Sequence, residues 1–306
     1  MRHGARGQGK NKGRTALQPA TAIAEAQSSP QPHSRPGCLW IVATPIGNLS
    51  DFAPRAVQTL KDAELVLCED TRTSAVLLKH FGIERPLKAL HEHNERALVV
   101  ALIAQLVAGA QIALISDAGT PLVSDPGYAL VRAARQAAVA VRAVPGPCAL
   151  IAALSIAGLP SDRFVFEGFV PPQAKARREH LQTLAAEART LVFYEAPHRL
   201  REFLDDAVAA FGADREASVS RELSKRFESL YRDTLGALAQ RAVHDADLQR
   251  GELVVVIAGA PASAGPDDTE AQRIHRLLAA ELPPAQAAKL AAKLTGRPRK
   301  AFYPGA

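Results

Sequence analysis

The chain has 306 residues, room for about two domains. Its 47% apolar and 22% charged composition is ordinarily globular, which excludes wholesale disorder and fibrous repeats, while 5% aromatic residues and one tryptophan argue against wide aromatic recognition platforms. The net charge of +6 gathers at the ends, where residues 1–36 hold six Lys/Arg against Glu25 and residues 263–306 hold seven against four acidic residues, so the body between is slightly acidic. Such ends suit either a polyanionic partner or a solvated tail.

Residues 1–37 are rich in Gly, Gln, Ser, Pro and basic side chains without apolar periodicity, and are predicted to be disordered. Order is expected from Leu39-Trp40-Ile41-Val42-Ala43, which runs into the turn-rich Thr44-Pro45-Ile46-Gly47-Asn48. Helices are then predicted at Ala53–Asp62, Ser74–Phe81, Glu95–Ala108 and Tyr128–Ala137. They alternate with strands at Glu64–Cys68, Pro86–Leu90, Gln111–Ile115 and Val139–Val144. Short apolar strands alternating with helices mean βαβ units and a mostly parallel sheet, here over residues 38–147. After Pro145-Gly146-Pro147 and a helix at Ala149–Ala157 the texture changes. Strands are expected at Phe164–Phe169, Thr190–Tyr194, Ala217–Ser220 and Glu252–Ile257, with helices at Ala174–Glu187 and Arg199–Phe211, giving a second α/β domain with a mixed sheet over residues 148–262. Residues 263–306 read as a linker followed by a basic helical appendage, two helices broken at Pro283-Pro284.

Cys38, Cys68 and Cys148 are far apart and form no C-x-x-C pair, which argues for a reducing compartment and against a disulfide framework or structural zinc. The first residues lack the apolar core of a signal peptide. The most apolar stretch, Ala97–Ile115, is interrupted by Gln105, Gly109 and Gln111 and reads as helix, turn and strand, not a membrane span. The protein is therefore expected to be cytoplasmic, with no membrane association.

Three Pro/Gly-rich loops follow strands: Thr44–Asn48, Ser116–Pro121 and Pro145–Ala149. In a doubly wound sheet they share the carboxyl edge, where ligands bind. No G-x-G-x-x-G follows the first strand and no G-x-x-x-x-G-K-[ST] occurs, so an ordinary dinucleotide or P-loop site is not expected.

Six segments occur in order: Ala43-Thr44-Pro45-Ile46-Gly47-Asn48-Leu49, Glu69-Asp70-Thr71-Arg72, His91-Glu92-His93-Asn94-Glu95, Ser116-Asp117-Ala118-Gly119-Thr120-Pro121-Leu122-Val123-Ser124-Asp125-Pro126-Gly127, Pro145-Gly146-Pro147 and Tyr194-Glu195-Ala196-Pro197-His198-Arg199. Together they resemble the ribosomal RNA small-subunit methyltransferase I family, the 16S rRNA (cytidine 2′-O)-methyltransferases of the tetrapyrrole-methylase superfamily. The resemblance covers about Leu39–Ala258 and extends into the C-terminal tail. It implies two α/β domains holding S-adenosylmethionine in the cleft between them, a homodimer, and 16S rRNA, within the small ribosomal subunit, as substrate. It also implies cofactor contacts from Pro45, Asp117, Gly119, Thr120, Pro121, Leu122, Val123, Cys148, Ala149, Phe193 and Tyr194. Related tetrapyrrole enzymes usually carry Gly-Asp-Pro where this chain has Gly119-Thr120-Pro121, so backbone contacts are expected to do more here.

A ribose hydroxyl needs its proton drawn off, whereas a sulfonium methyl is already activated, so alignment and general-base help are the protein's tasks. Glu69 or Asp70 is placed to accept the proton and Arg72 to hold a phosphate; alternatively Asp70 or Thr71 caps a helix. His93 with Asn94 offers a base and an orienting amide, or Asn94 caps the helix that Glu95 opens. A lone His-x-His is a weak metal signal, and no metal is expected. Arg221, Glu222 and Lys225 are read as RNA-facing through the family motif, against a solvated charged edge as the alternative. In the appendage Lys289 and Lys293, at i and i+4, and Arg297 are assigned auxiliary phosphate contacts. With little chain after Ala301-Phe302-Tyr303, a full recognition helix is not expected. Two other functions compete: methylation of a tetrapyrrole such as a precorrin, and a ribosome-binding factor without chemistry.

Overall fold

The computed structural model describes residues 36–261 and 268–303. Of the predicted disordered residues 1–37, all but the last two lie outside the described residues, as does most of the predicted linker. The first half runs β1 (Cys38–Val42), α1 (Pro54–Asp62), β2 (Leu65–Cys68), α2 (Thr71–His80), β3 (Leu87–Ala89), α3 (Glu95–Val107), β4 (Gln111–Leu114), α4 (Tyr128–Gln136) and β5 (Ala140–Val144). All five strands are parallel, in the order β3-β2-β4-β1-β5.

Side-chain alternation divides this sheet's two faces. Val42, Val66, Cys68 and Ala113 pack with Ala56 and Leu60 of α1 and Leu78 of α2. Leu39, Leu67, Ile112 and Leu114 pack with Leu102 and Leu106 of α3 and Leu130 and Ala134 of α4. Two helices on each face are the doubly wound arrangement, and β4, β1 and β5 are neighbours. The loops leaving their carboxyl ends therefore lie side by side. Helix α2 begins three residues before the expected Ser74, because the Asp70 carboxylate accepts the Arg72 amide at 2.8 Å and caps it.

The second half contains α5 (Ala149–Ile156), β6 (Phe164–Phe169), α6 (Ala174–Thr183), β7 (Thr190–Glu195), α7 (Leu200–Phe211), β8 (Glu216–Arg221), β9 (Ser229–Thr234), α8 (Leu235–His244) and β10 (Leu253–Ile257). Its sheet, ordered β6-β7-β10-β8-β9, is mixed: β6 and β7 are parallel and the other pairs antiparallel. Helices α6, α7 and α8 cover one face through Leu181, Phe203, Leu204 and Leu238. On the other face α5, through Leu150, Ala153 and Leu154, packs against Val192, Val254 and Val256, together with Ile46 from the loop after β1. The two sheets are thus joined through α5 and Ile46.

Three further features differ from the sequence expectation. Strand β9 and helix α8 were not predicted: β9 is a largely exposed edge strand, and Thr234 opens α8 by accepting the Ala237 amide at 3.3 Å. Helix α6 stops at Thr183 instead of Glu187, because its end tightens into three-residue turns in which Leu184 donates to the Leu181 carbonyl and Ala185 to that of Gln182.

The last elements are α9 (Asp268–Glu281), α10 (Pro284–Thr295) and one 3-10 turn, Arg299–Phe302. They share a small core of Ala271, Ala288, Ala291 and Phe302. Gly296 in the left-handed region ends α10. Among the described residues, no helix is long and apolar enough to cross a membrane.

Candidate functional site

The three Pro/Gly loops are stitched to one another by hydrogen bonds. The Thr44 amide donates to the Gly119 carbonyl at 2.8 Å, and the Thr44 hydroxyl to that of Ser116 at 3.1 Å. The Ser116 hydroxyl also donates to the Gly119 carbonyl, at 3.0 Å. The Thr120 hydroxyl donates to the Pro147 carbonyl at 2.9 Å, so the residue between Gly119 and Pro121 ties the second loop to the third. Gly119 has φ +88°, and a Cβ there would meet Ile46 at 3.1 Å, so glycine fits both the backbone angle and the space.

Between these loops and the second sheet lies a cavity of about 370 Å³, within the range of small-molecule sites. Its walls include Gly119, Thr120, Val123, Cys148, Ala149 and Tyr194. Phe169 and Tyr194 supply an aromatic wall, edge to face at 5.6 Å. Tyr194 is fixed by accepting the Leu150 amide at the start of α5 at 3.1 Å, and burial pushes its phenol well above the usual range. Phe193 points the other way. Alternation along β7 buries its ring against Phe203 on the helical face, so its side chain does not reach the cavity. Pro121 and Leu122 support the loop from outside the cavity lining, Leu122 packing into the core of the first sheet.

Three acidic residues, Asp125, Glu195 and Glu252, line this cavity, and Asp125 has no role assigned from the sequence. Asp125 follows two non-glycine residues in the left-handed region, Leu122 (φ 71°) and Ser124 (φ 67°), and this strained turn brings it to the cavity wall. Burial raises its carboxyl to about 6; Glu69 and Asp117 add to the shift, and the Ser116 hydroxyl opposes it. Glu69 is raised as well, by burial and then by Asp117 and Glu92.

Pro45 and Asp117 line a second cavity of about 350 Å³, which shares Ile46, Ala118 and Glu252 with the first. The Asp117 carboxylate also accepts the Asp70 amide at 3.2 Å. The other acid–base candidates are engaged differently. Asp70 caps α2 and pairs with Arg72 at 2.7 Å, and these bonds hold its carboxyl down to about 2, which makes it a weak base. Asn94 stands at the start of α3 but braces the preceding turn, accepting from the His91 amide at 2.9 Å and donating to the Ala89 carbonyl at 3.1 Å. His93 is exposed, its ring edge-on to His91 at 6.0 Å. Among the described residues, no group of three or more His, Cys, Asp or Glu is arranged to hold a metal.

The segment between β8 and β9 is tied down by internal bonds, with Arg226, Phe227 and Glu228 exposed. Arg221 is buried and donates to the carbonyls of Arg250 (3.0 Å) and Phe227 (3.1 Å). Lys225 pairs with Glu222 at 2.9 Å and Glu252 at 3.2 Å, and Glu222 also accepts the Glu252 amide at 2.8 Å. Ser224 donates to the Asp51 carboxylate, so the segment straps the loop after β1. Arg221, Glu222 and Lys225 thus carry internal bonds, and Lys225 also lines the second cavity. The Lys225 stem lies over Gly47, where φ is +143° and a Cβ would stand 2.4 Å from it. Gly47→Ala should therefore cost about 1–3 kcal/mol through backbone strain and a displaced strap, read as a lower urea midpoint.

In the appendage Lys289 and Lys293 are exposed along one side of α10, while Arg297 is half-buried and donates its amide to the Thr295 hydroxyl at 3.3 Å.

Two family profiles match the chain: Tetrapyrrole (Corrin/Porphyrin) Methylases over residues 38–239, and the RsmI C-terminal HTH domain over residues 265–304. Among curated relatives, the Ribosomal RNA small subunit methyltransferase I of Xylella fastidiosa (strain Temecula1) is 54% identical, covering 89% of this chain and all of the relative. Its counterpart in Pseudomonas aeruginosa is 53% identical over 87% of this chain and 95% of the relative, and that of Escherichia coli O157:H7 48% identical over 87% and 93%. The fold resembles the crystal structures of uroporphyrin-III-C-methyltransferase from Thermus thermophilus (TM-score 0.52, 19% identity, 73% of this chain and 95% of that one) and of diphthine synthase (0.54, 14%, 72% and 89%).

Proposed function

This chain belongs to the ribosomal RNA small subunit methyltransferase I family, and from that premise we propose that its first cavity binds S-adenosylmethionine for methylation of a cytidine 2′-oxygen in 16S rRNA. The observation that carries the cofactor assignment is the cavity itself, with apolar and aromatic walls and three carboxyls, of which Glu195 pairs with Arg199 and Glu252 with Lys225, while Asp125 is flanked by the acidic Glu69 and Asp117. An adenosine ring suits the apolar and aromatic part, and a sulfonium with its ammonium group suits the carboxylate. Gly119, Thr120, Val123, Cys148, Ala149 and Tyr194 would hold the group, with Asp125 facing its positive end. When bound, S-adenosylmethionine supplies an activated methyl group; this chain's residues align the acceptor, exclude water and take up the hydroxyl proton.

We place the enzyme in the cytoplasm, as a homodimer acting on rRNA within the small subunit. Titration calorimetry tests the cofactor assignment: micromolar-range binding of S-adenosylmethionine is expected, and no heat of binding would favour a ribosome-binding factor without chemistry. Transfer of label to a porphyrinoid, with none to rRNA, would move the assignment to tetrapyrrole methylation.

The exposed Lys289 and Lys293 of α10 support a phosphate-contacting role for the appendage. Lys289→Glu with Lys293→Glu should leave cofactor affinity unchanged. It should make the slope of log affinity for RNA against log salt shallower by about 1–2, as expected when about two phosphate contacts are lost. An unchanged slope in filter-binding titrations would remove α10 from the RNA interface.

A further inference from the structure

The second cavity, lined by Pro45 and Asp117, stands wall to wall with the first across Ile46 and Ala118. It opens among the loop after β1, the start of α2 and the strap after β8, so both halves of the fold contribute to it. Leu49, Val76 and Leu77 give it an apolar side, and Thr73, His80, Asp117 and Lys225 ring that side with donors and acceptors. An apolar face edged by mixed hydrogen-bonding groups is what a nucleobase and its ribose require. Cations and an open ring lie just outside. Arg72, at the start of α2, has an 89% exposed side chain, and next to Lys225 the Arg226 guanidinium sits 5.5 Å over the exposed Phe227 ring.

We infer that this second cavity receives the acceptor nucleoside, a single unpaired cytidine of the rRNA, back to back with the cofactor. The inference rests on the methyltransferase reading and assigns its acceptor site. A space of about 350 Å³ admits one nucleotide and no duplex, so the target must be extruded or already single-stranded. Arg72 and Arg226 lie outside for the flanking phosphates, and Phe227 for stacking of a neighbouring base. Transfer takes place at the shared wall, where reacting atoms must approach to about 3–3.5 Å. There the ribose 2′-oxygen forms its bond to the methyl carbon as the carbon–sulfur bond breaks, the electron pair stays on sulfur, and the hydroxyl proton passes to the Asp117 carboxylate. Two carboxylates line this cavity: Glu252 is paired with Lys225, and Asp117 stands next to the shared Ala118.

Thr73 is exposed on the cavity wall, so Thr73→Trp fills the space without entering the core. Expected is a cofactor dissociation constant within twofold of wild type by calorimetry, with kcat/KM for small subunits at least 100-fold lower. A second measurement uses the wild-type protein. Small subunits carrying 4-thiouridine at the target position should, on irradiation, crosslink to residues 45–49, 73–80 or 225. Full activity of Thr73→Trp, or crosslinks confined to the Phe169–Pro197 wall of the first cavity, would overturn the acceptor assignment. Wild-type protein that binds no S-adenosylmethionine or moves no methyl group would instead overturn the reading beneath it.

Discussion

Replacing Asp125 by asparagine should make the protein more stable at pH 7 while making it a poorer binder of S-adenosylmethionine. Both effects come from one cause. The Asp125 carboxyl is raised to about 6 by burial and by Glu69 and Asp117, so in the free protein its ionised form is disfavoured. The sign follows from proton counting. A carboxyl whose folded value lies above its unfolded value near 4 binds more protons when folded, and it lowers stability as pH rises from about 4 through 6. Asparagine removes that cost, a gain of about 1–2 kcal/mol at pH 7 after allowance for the group's partial exposure. Cofactor binding runs the other way. A sulfonium and ammonium beside Asp125 favour its ionised form, so wild-type affinity should rise between about pH 5 and 7. Asp125→Asn should bind about 10–100-fold more weakly at pH 7 with a flatter pH profile, the scale of one screened charge–charge contact. The thioether product, which lacks the sulfonium charge, should lose less. Calorimetry from pH 5 to 8 with parallel urea melts checks both halves; a destabilised variant with unchanged affinity would make Asp125 a structural residue.

The largest stability effect is expected on the helical side of the second sheet. Arg177 of α6 is 2% exposed; its Nε donates to Asp206 at 2.7 Å and its Nη2 to Glu202 at 3.1 Å. It also helps to balance the buried Glu195, whose carboxyl is raised by burial. Arg177→Ala would leave Asp206 held by Arg178 alone and deprive Glu195 of a neighbouring cation. The loss should be about 3–5 kcal/mol, because an uncompensated buried charge costs more than the pair contributes. Arg177→Met with Asp206→Leu should recover most of it, and in protein that remains folded the cofactor affinity should be unchanged. A loss under about 1 kcal/mol would show that water reaches this cluster.

The sequence was most readable where one physical rule decided the structure. The apolar runs at Leu39–Val42 and Gln111–Leu114 are strands buried on both faces, and their Pro/Gly followers became the stitched loops of the site. Asp125 was missed because Ser124-Asp125-Pro126-Gly127 reads as an ordinary turn. What aims it at the cavity is the left-handed backbone at Leu122 and Ser124, which no residue pattern announces. Tyr194 and Phe193 were grouped together although period-two alternation must send neighbours on β7 to opposite faces, a signal that was present in the sequence. The strap shows a different limit. The internal bonds of Arg221, Glu222 and Lys225 were not legible, because their partners, Arg250, Glu252 and the loop at Gly47, are remote in sequence. Helix α8 did carry a legible stripe, Leu235, Leu238, Ala239 and Ala242, hidden behind the charged stretch that precedes β9.

The most direct test follows the methyl group to its atom. Small ribosomal subunits from cells lacking this enzyme would be incubated with the purified protein and S-adenosylmethionine carrying an isotopically labelled methyl. The rRNA would then be digested to nucleosides and analysed by mass spectrometry. The label should appear in 2′-O-methylcytidine, nearly abolished by Thr73→Trp and reduced by Asp125→Asn at limiting cofactor. Label on a base, or none in rRNA while a porphyrinoid accepts it, would rule out ribose methylation by this enzyme.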